Sequence, residues 1–233
     1  MKKSLLIKCI VTIVLSVTST FTFASGRDVA TDLTTLLRSA RAITVNSVTI
    51  NDPSAFNLSD FVTKTKSNYE KSAGKKFDES NVLLTQLMDS MTYVIKNAKE
   101  GRYEGKWSTG AYANKFLPAR FARLSGLRFE ELTGGKAIIR LTTSAQLLVN
   151  TENKADSWEE DVIEQKFRNP SWPKNKIHDN YTNDGYRLML PEYYKAGCMR
   201  CHGGGQGKAI HAEPVEGHLG EFGGAISVLI YDD

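Results

Sequence analysis

Cysteine is scarce in this chain, and its scarcity is informative. Only three occur in 233 residues, and one of them, Cys9, lies in the first 24 residues. A disulfide-rich scaffold is therefore excluded. The other two, Cys198 and Cys201, are separated by two residues. A bridge between them would close a tiny loop and constrain the unfolded chain little, so stability is a poor reason for the pair. Histidine is also sparse, with four residues. There is no internal repeat and no low-complexity tract, and beyond residue 24 no run is apolar enough to span a bilayer. Concentrated positive charge is lacking too. The formal charge of +4 falls to +1 when the three lysines of the first 24 residues are set aside. A nearly neutral chain offers no electrostatic footprint for nucleic acid.

What is present begins with the leader. Lys2, Lys3 and Lys8 form a positive start, Cys9 to Phe23 is apolar, and Thr22-Phe23-Ala24 precedes Ser25-Gly26. This is the layout of a secretory signal peptide over residues 1–24, so export to the periplasm is expected. An uncleaved N-terminal anchor is the alternative. Residues 25–233, with 41% hydrophobic and 24% charged residues across the whole chain, have the balance of one soluble globular domain.

Periodicity divides that domain into a helical part, 25–101, and an α+β part, 102–233. Val29, Leu33, Leu36, Leu37, Ala40 and Ile43 form one apolar stripe, predicting a helix that stops at Asn51-Asp52-Pro53. Ser59 is a candidate cap for a second helix carrying Phe61, Val62 and Tyr69 and ending near Gly74. A third is predicted from Asp78 to Glu100, with Leu84, Leu87, Met88, Met91, Val94 and Ile95 in its stripe. Residues 102–114 read as a loop. Phe116 to Leu132 reads as a helix interrupted near Gly126, and Lys136 to Thr142 as a strand. Ser157-Trp158-Glu159-Glu160 predicts a capping box before a helix reaching Phe167. The stretch 168–184 reads as loop, Tyr186 to Leu190 as a strand ended by Pro191, and Pro191 to Cys201 as a short helix. Gly224 to Tyr231 is the last strand, with Ile226, Val228 and Ile230 on one face. The fold class expected is α+β.

The chemistry sits in Cys198-Met199-Arg200-Cys201-His202. The C-x-x-C-H pattern is an attachment site for c-type haem. Residues three and four apart share a helical face. Cys198 and Cys201 can thus add to the vinyl groups of one haem while His202 ligates its iron, with Met199 and Arg200 pointing elsewhere. Gly203, Gly204, Gly205 and Gly207 follow and let backbone pass close to a flat cofactor. Candidates for the other axial position are His178, His211, His218, Met88, Met91 and Met189, and an open position is equally compatible. Arg140 and Arg187 are candidate partners for the haem propionates, and Tyr193 and Tyr194 for the pocket wall or for ordinary packing. The competing readings are a zinc site, which would need four ligands drawn from the cysteines with His178, His211 and His218, and a thioredoxin-like redox pair, which would want a βαβ setting. No acid–base constellation marks an enzyme.

The chain resembles a family of exported c-type haem domains with a PAS-like fold, catalogued as a domain of unknown function. The resemblance is carried by Pro191-Glu192-Tyr193-Tyr194 before the haem motif and by Gly220-Glu221-Phe222-Gly223-Gly224-Ala225-Ile226-Ser227-Val228 after it. Phe116-Leu117-Pro118-Ala119-Arg120-Phe121-Ala122-Arg123, Ile139-Arg140-Leu141-Thr142 and Trp158-Glu159 add to it. It implies a small antiparallel sheet with flanking helices holding haem in a sensor-like pocket. In many relatives the domain is the input of a kinase or chemotaxis receptor. This chain ends at Asp233, two residues after its last strand, so a signal would pass to a separate partner protein. The expected function is a periplasmic haem protein responding to redox state or a small diatomic ligand. The alternatives are an electron-carrier cytochrome and a zinc-binding interaction module.

Overall fold

The computed structural model describes residues 26–103, 115–148, 150–203 and 217–232. The leader, most of the 102–114 loop, His211 and the glycines at 204, 205 and 207 lie outside them. Among the described residues the helical N-terminal part comes first. It comprises α1 (Gly26–Thr44), α2 (Ser47–Asn51), α3 (Leu58–Ala73) and α4 (Val82–Lys99), followed by α5 (Pro118–Leu132). No helix among them is long and apolar enough to cross a membrane.

The stripes read from the sequence are the buried faces. Leu33, Leu36, Leu37 and Ala40 of α1 pack with Leu84, Leu87, Met88, Met91, Val94 and Ile95 of α4 in one core. The first predicted helix is two helices. Asn46 is extended and its side chain accepts from the Val48 amide, so it ends one segment and caps the next. Such caps satisfy amides that a helix start leaves orphaned. For the same reason α3 is capped by Asn57 rather than Ser59, and α4 starts at Val82 behind Asn81 rather than at Asp78. Helix α5 runs through Gly126 without interruption. That glycine is needed for contact: a Cβ there would lie 2.1 Å from the Ile139 carbonyl oxygen, so α5 presses directly on the first strand.

The sheet has four antiparallel strands in the order β1-β4-β3-β2. They are β1 (Ala137–Thr142), β2 (His178–Thr182), β3 (Gly185–Tyr193) and β4 (Phe222–Tyr231). Strand β2 falls in the stretch predicted as loop. Its residues are polar and half-exposed because it is an edge strand, which leaves no hydrophobic alternation to read. Strand β3 continues through Pro191. The Pro191 carbonyl accepts from Arg38 Nη2 at 2.6 Å, so that residue's polar side faces away from β4. β2 pairs only as far as Met189, and a proline beyond that point removes no ladder bond.

The two faces of the sheet bury different things. Ala137, Ile139, Leu188, Leu190, Ile226 and Val228 join the helical core. On the other face Met189 and Ala225 pack against Val162, Ile163 and Phe167. Those residues belong to α6 (Ser157–Val162) and the π-helical turn Ile163–Phe167 that continues it. The capping box is one residue earlier than the sequence suggested: Asp156 caps, and Glu159 answers it. The chain is thus α+β, a helical part followed by a small antiparallel sheet with helices on both faces.

Candidate functional site

The predicted helix before the motif is a strand and a turn, followed by a single helical turn, α7 (Met199–His202). The amides of Cys201 and His202 both donate to the Cys198 carbonyl, at 3.0 and 2.9 Å. That turn brings Cys198, Cys201 and His202 to the wall of one cavity of about 560 Å³. Both cysteines are half-buried free thiols. The volume lies in the range of about 300–1,000 Å³ typical of small-molecule and cofactor sites. Arg200 also lines this cavity, contrary to the expectation that it points elsewhere, and its Nη2 donates to the Val45 carbonyl at 2.7 Å.

The remaining wall comes from the first turns of α5, the end of β1, the facing ends of β3 and β4, and the end of α1. Leu117, Leu124, Leu141, Leu147 and Ala225 make it largely apolar. Its charge is one-sided. Arg41, Lys115, Arg120, Arg123 and Arg200 line it, with Glu192 as the acidic member among the described residues. Glu192 is held by Arg38 Nε at 2.5 Å and Arg41 Nη1 at 2.7 Å. Burial pushes its carboxyl up, but Arg41 and Arg38 more than offset this and hold it below the ordinary carboxylate range. Arg120 is different. Its Nη1 donates to the Lys115 carbonyl at 3.1 Å, whereas its Nη2 is buried without a hydrogen-bond partner among the described residues. Burial alone lowers its pKa. An apolar wall edged with cations, with two thiols and an imidazole on one side, fits a flat apolar cofactor with carboxylate arms, so the residues present fit haem.

Tyr193 and Tyr194 both line the cavity. Tyr194 lies against His202, with ring centroids 5.0 Å apart and planes at 36°. The other candidates are placed as follows. Met88 and Met91 are in the helical core, and Met189 is in the core on the far face of the sheet. His178 stacks on Trp158 at 5.8 Å with Trp172 edge-on at 6.2 Å, and burial holds its pKa below the ordinary histidine value. His218 is exposed and its Nδ1 meets Glu221 at 3.1 Å. None of these five lines the cavity. His211, the sixth, lies outside the described residues. Among the described residues no three His, Cys, Asp or Glu side chains gather as a metal site would require.

Arg140 and Arg187 are not at the cavity. They engage Glu159 and Asp156 instead. Arg140 donates to Glu159 through both Nε, at 3.1 Å, and Nη2. Arg187 Nη2 lies 2.5 Å from Asp156 and 3.6 Å from Glu159. The expectation that these arginines serve propionates is therefore corrected. The sequence could not show that the capping carboxylate, Glu159, turns inward beneath them. Arg120 is the arginine that sequence reasoning missed; its only signal was a place in the Leu117-Pro118-Ala119-Arg120 segment, where it reads as a solvated helix residue.

Comparison with solved structures finds the crystal structure of the cyanobacterial heme-protein Tll0287, with 16% identity, a TM-score of 0.43, and coverage of 65% of this chain and 93% of that one. No curated protein matches the chain. The model of the Tll0287-like family matches residues 70–230. That span holds the α5 segment, the C-x-x-C-H turn and the Gly-Gly-Ala-Ile-Ser-Val strand together, and the chain belongs to the Tll0287-like family.

Proposed function

We propose that the protein binds one haem c, attached through Cys198 and Cys201 and ligated by His202, and that it acts in the periplasm as a responder to redox state or to a small diatomic ligand. The observation that carries the reading is one cavity onto whose wall both thiols and the imidazole converge, with cationic side chains along it. The heme-protein among the solved structures belongs with the same family description, which supports haem over zinc. Bound haem supplies an iron that can change oxidation state or accept a sixth ligand. The chain's own residues do the rest. The thiols would hold the cofactor, His202 would ligate its iron, Arg120 would pair with a carboxylate, and the leucines would exclude water. Response rather than catalysis is proposed. The signal passes to a separate partner protein.

The test is an optical spectrum of the exported protein, oxidised and reduced, with and without carbon monoxide, together with its intact mass. A c-type spectrum with one haem of added mass is expected. A reduced spectrum unmoved by carbon monoxide would favour redox response or the electron-carrier alternative. A carbon monoxide shift would favour ligand response. No haem, from cells competent to attach it, would refute the proposal and favour the zinc-binding module.

A further inference from the structure

Tyr194 is held in a way that ordinary packing does not demand. Its ring is buried, at 8% exposure. A Cβ on Gly217 would lie 2.4 Å from Cε2 and 2.7 Å from Cδ2 of that ring. A Cβ on Gly223 would lie 2.9 Å from Cε1 and 3.2 Å from Cδ1. Two glycine backbones therefore pass against the two sides of the ring, closer than any side chain would permit. The part of the ring left over is turned to His202.

The same segment is tied to both residues through its backbone. The Gly217 amide donates to the His202 carbonyl at 2.8 Å. The Tyr194 amide donates to the Glu221 carbonyl at 2.9 Å, and the Gly220 amide to the Tyr194 carbonyl at 2.8 Å. Residues 217–223 thus lock Tyr194 and the histidine end of the motif into one unit. Outer partners of a ligand commonly set its plane.

From this we infer that Tyr194 is a positioning residue: its clamped ring sets the orientation of the His202 imidazole toward the cofactor. The inference rests on His202 being the axial ligand, and it is the aromatic ring, not the hydroxyl, that acts. The experiment compares the haem-loaded wild-type protein with Tyr194→Phe, Tyr194→Leu and Gly223→Ala by potentiometry and by ferric electron paramagnetic resonance. Tyr194→Phe keeps the ring and retains the wild-type potential and resonance spectrum. Tyr194→Leu, with haem still attached through two thioethers, shifts the one-electron equilibrium at least tenfold, about 59 mV, and broadens or displaces the resonance. Gly223→Ala pushes the ring aside and shifts both in the same sense, which keeps the test decisive if the leucine variant does not fold. Unchanged potential and resonance in loaded Tyr194→Leu or Gly223→Ala would overturn the inference, as would an equal shift in Tyr194→Phe. A wild-type protein with no haem would instead overturn the proposed function, and this inference with it.

Discussion

Gly126→Ala separates two physical arguments that point in opposite directions. Helix propensity alone says that alanine in a helix interior stabilises by about 1 kcal/mol over glycine. The contact at this position says otherwise. The new Cβ would lie 2.1 Å from the Ile139 carbonyl oxygen and 3.3 Å from its carbon. An ordinary carbon–oxygen contact is about 3.3–3.6 Å, so α5 must retreat from β1 by roughly an ångström. Both sides of the clash are backbone, and no rotamer can relieve it. Phe121, Ala122 and Phe129 of α5 are buried in the main core and retreat with it. Overpacking of this kind costs about 1–3 kcal/mol, and the loosened core adds to that. The net expectation is a loss of about 1–3 kcal/mol, a fall in Tm of roughly 3–10 °C for a domain of this size. Calorimetry of the wild type and Gly126→Ala measures it. Because the first turns of α5 carry Leu117 and Arg120 to the cavity wall, a smaller loaded fraction of haem is expected alongside. A variant as stable as the wild type, or more so, would refute the close approach of α5 to β1.

Three further outcomes follow from charges. Glu159 is 1% exposed and accepts from Arg140, from Thr142 Oγ1 at 3.1 Å and from the Asp156 amide at 3.0 Å. Glu159→Gln removes the buried carboxylate from Arg140 and Arg187 but leaves Asp156 beside both, and is expected to cost about 1–3 kcal/mol in denaturant unfolding; a loss below about 1 kcal/mol would show that Asp156 and solvent compensate. Glu192 has its pKa depressed in the folded state, so its contribution is present above the ordinary carboxylate value of 4.5 and is lost as pH falls through the lower folded value. The wild type should therefore lose its stability advantage over Glu192→Gln below about pH 4.5, and parallel Tm profiles from pH 7 to 3 would contradict this. Arg120→Gln removes a cation from the cavity wall. Attachment through the thiols should persist while the haem potential becomes more negative by tens of millivolts, a tenfold change being about 59 mV; an unchanged potential would remove Arg120 from the cofactor's surroundings.

Legibility in the sequence followed burial on one face. The stripes of α1 and α4 were readable because one side of each helix meets one core, and Ile226 and Val228 because a strand with a buried face alternates. The C-x-x-C-H motif was readable because its chemistry needs a fixed local spacing, which the Cys198 carbonyl enforces within a single turn. What was hidden depends on contacts distant in sequence. Strand β2 exists because β3 offers it an open edge, not because His178 to Thr182 prefers extension. Pro191 sits within a strand because the neighbouring ladder has already ended. Gly126 looks like a helix breaker until Ile139 is beside it.

The arginines make the same point most sharply for function. Arg120, Arg123, Arg140 and Arg187 carry identical chemistry, and the two on strands were the candidates named for the propionates. Strand periodicity turns Arg140 and Arg187 to the face opposite Ile139 and Leu188, where a glutamate from α6 meets them. Their charge is thereby neutralised inside the protein. Arg120, by contrast, stands on the first turn of α5 and lines the cavity, with no ion pair among the described residues. Which arginine lines the cavity and which is engaged by an acid is thus decided by contacts distant in sequence. That is a property of packing, and it explains why the ligating motif could be read from five consecutive residues while its electrostatic complement could not.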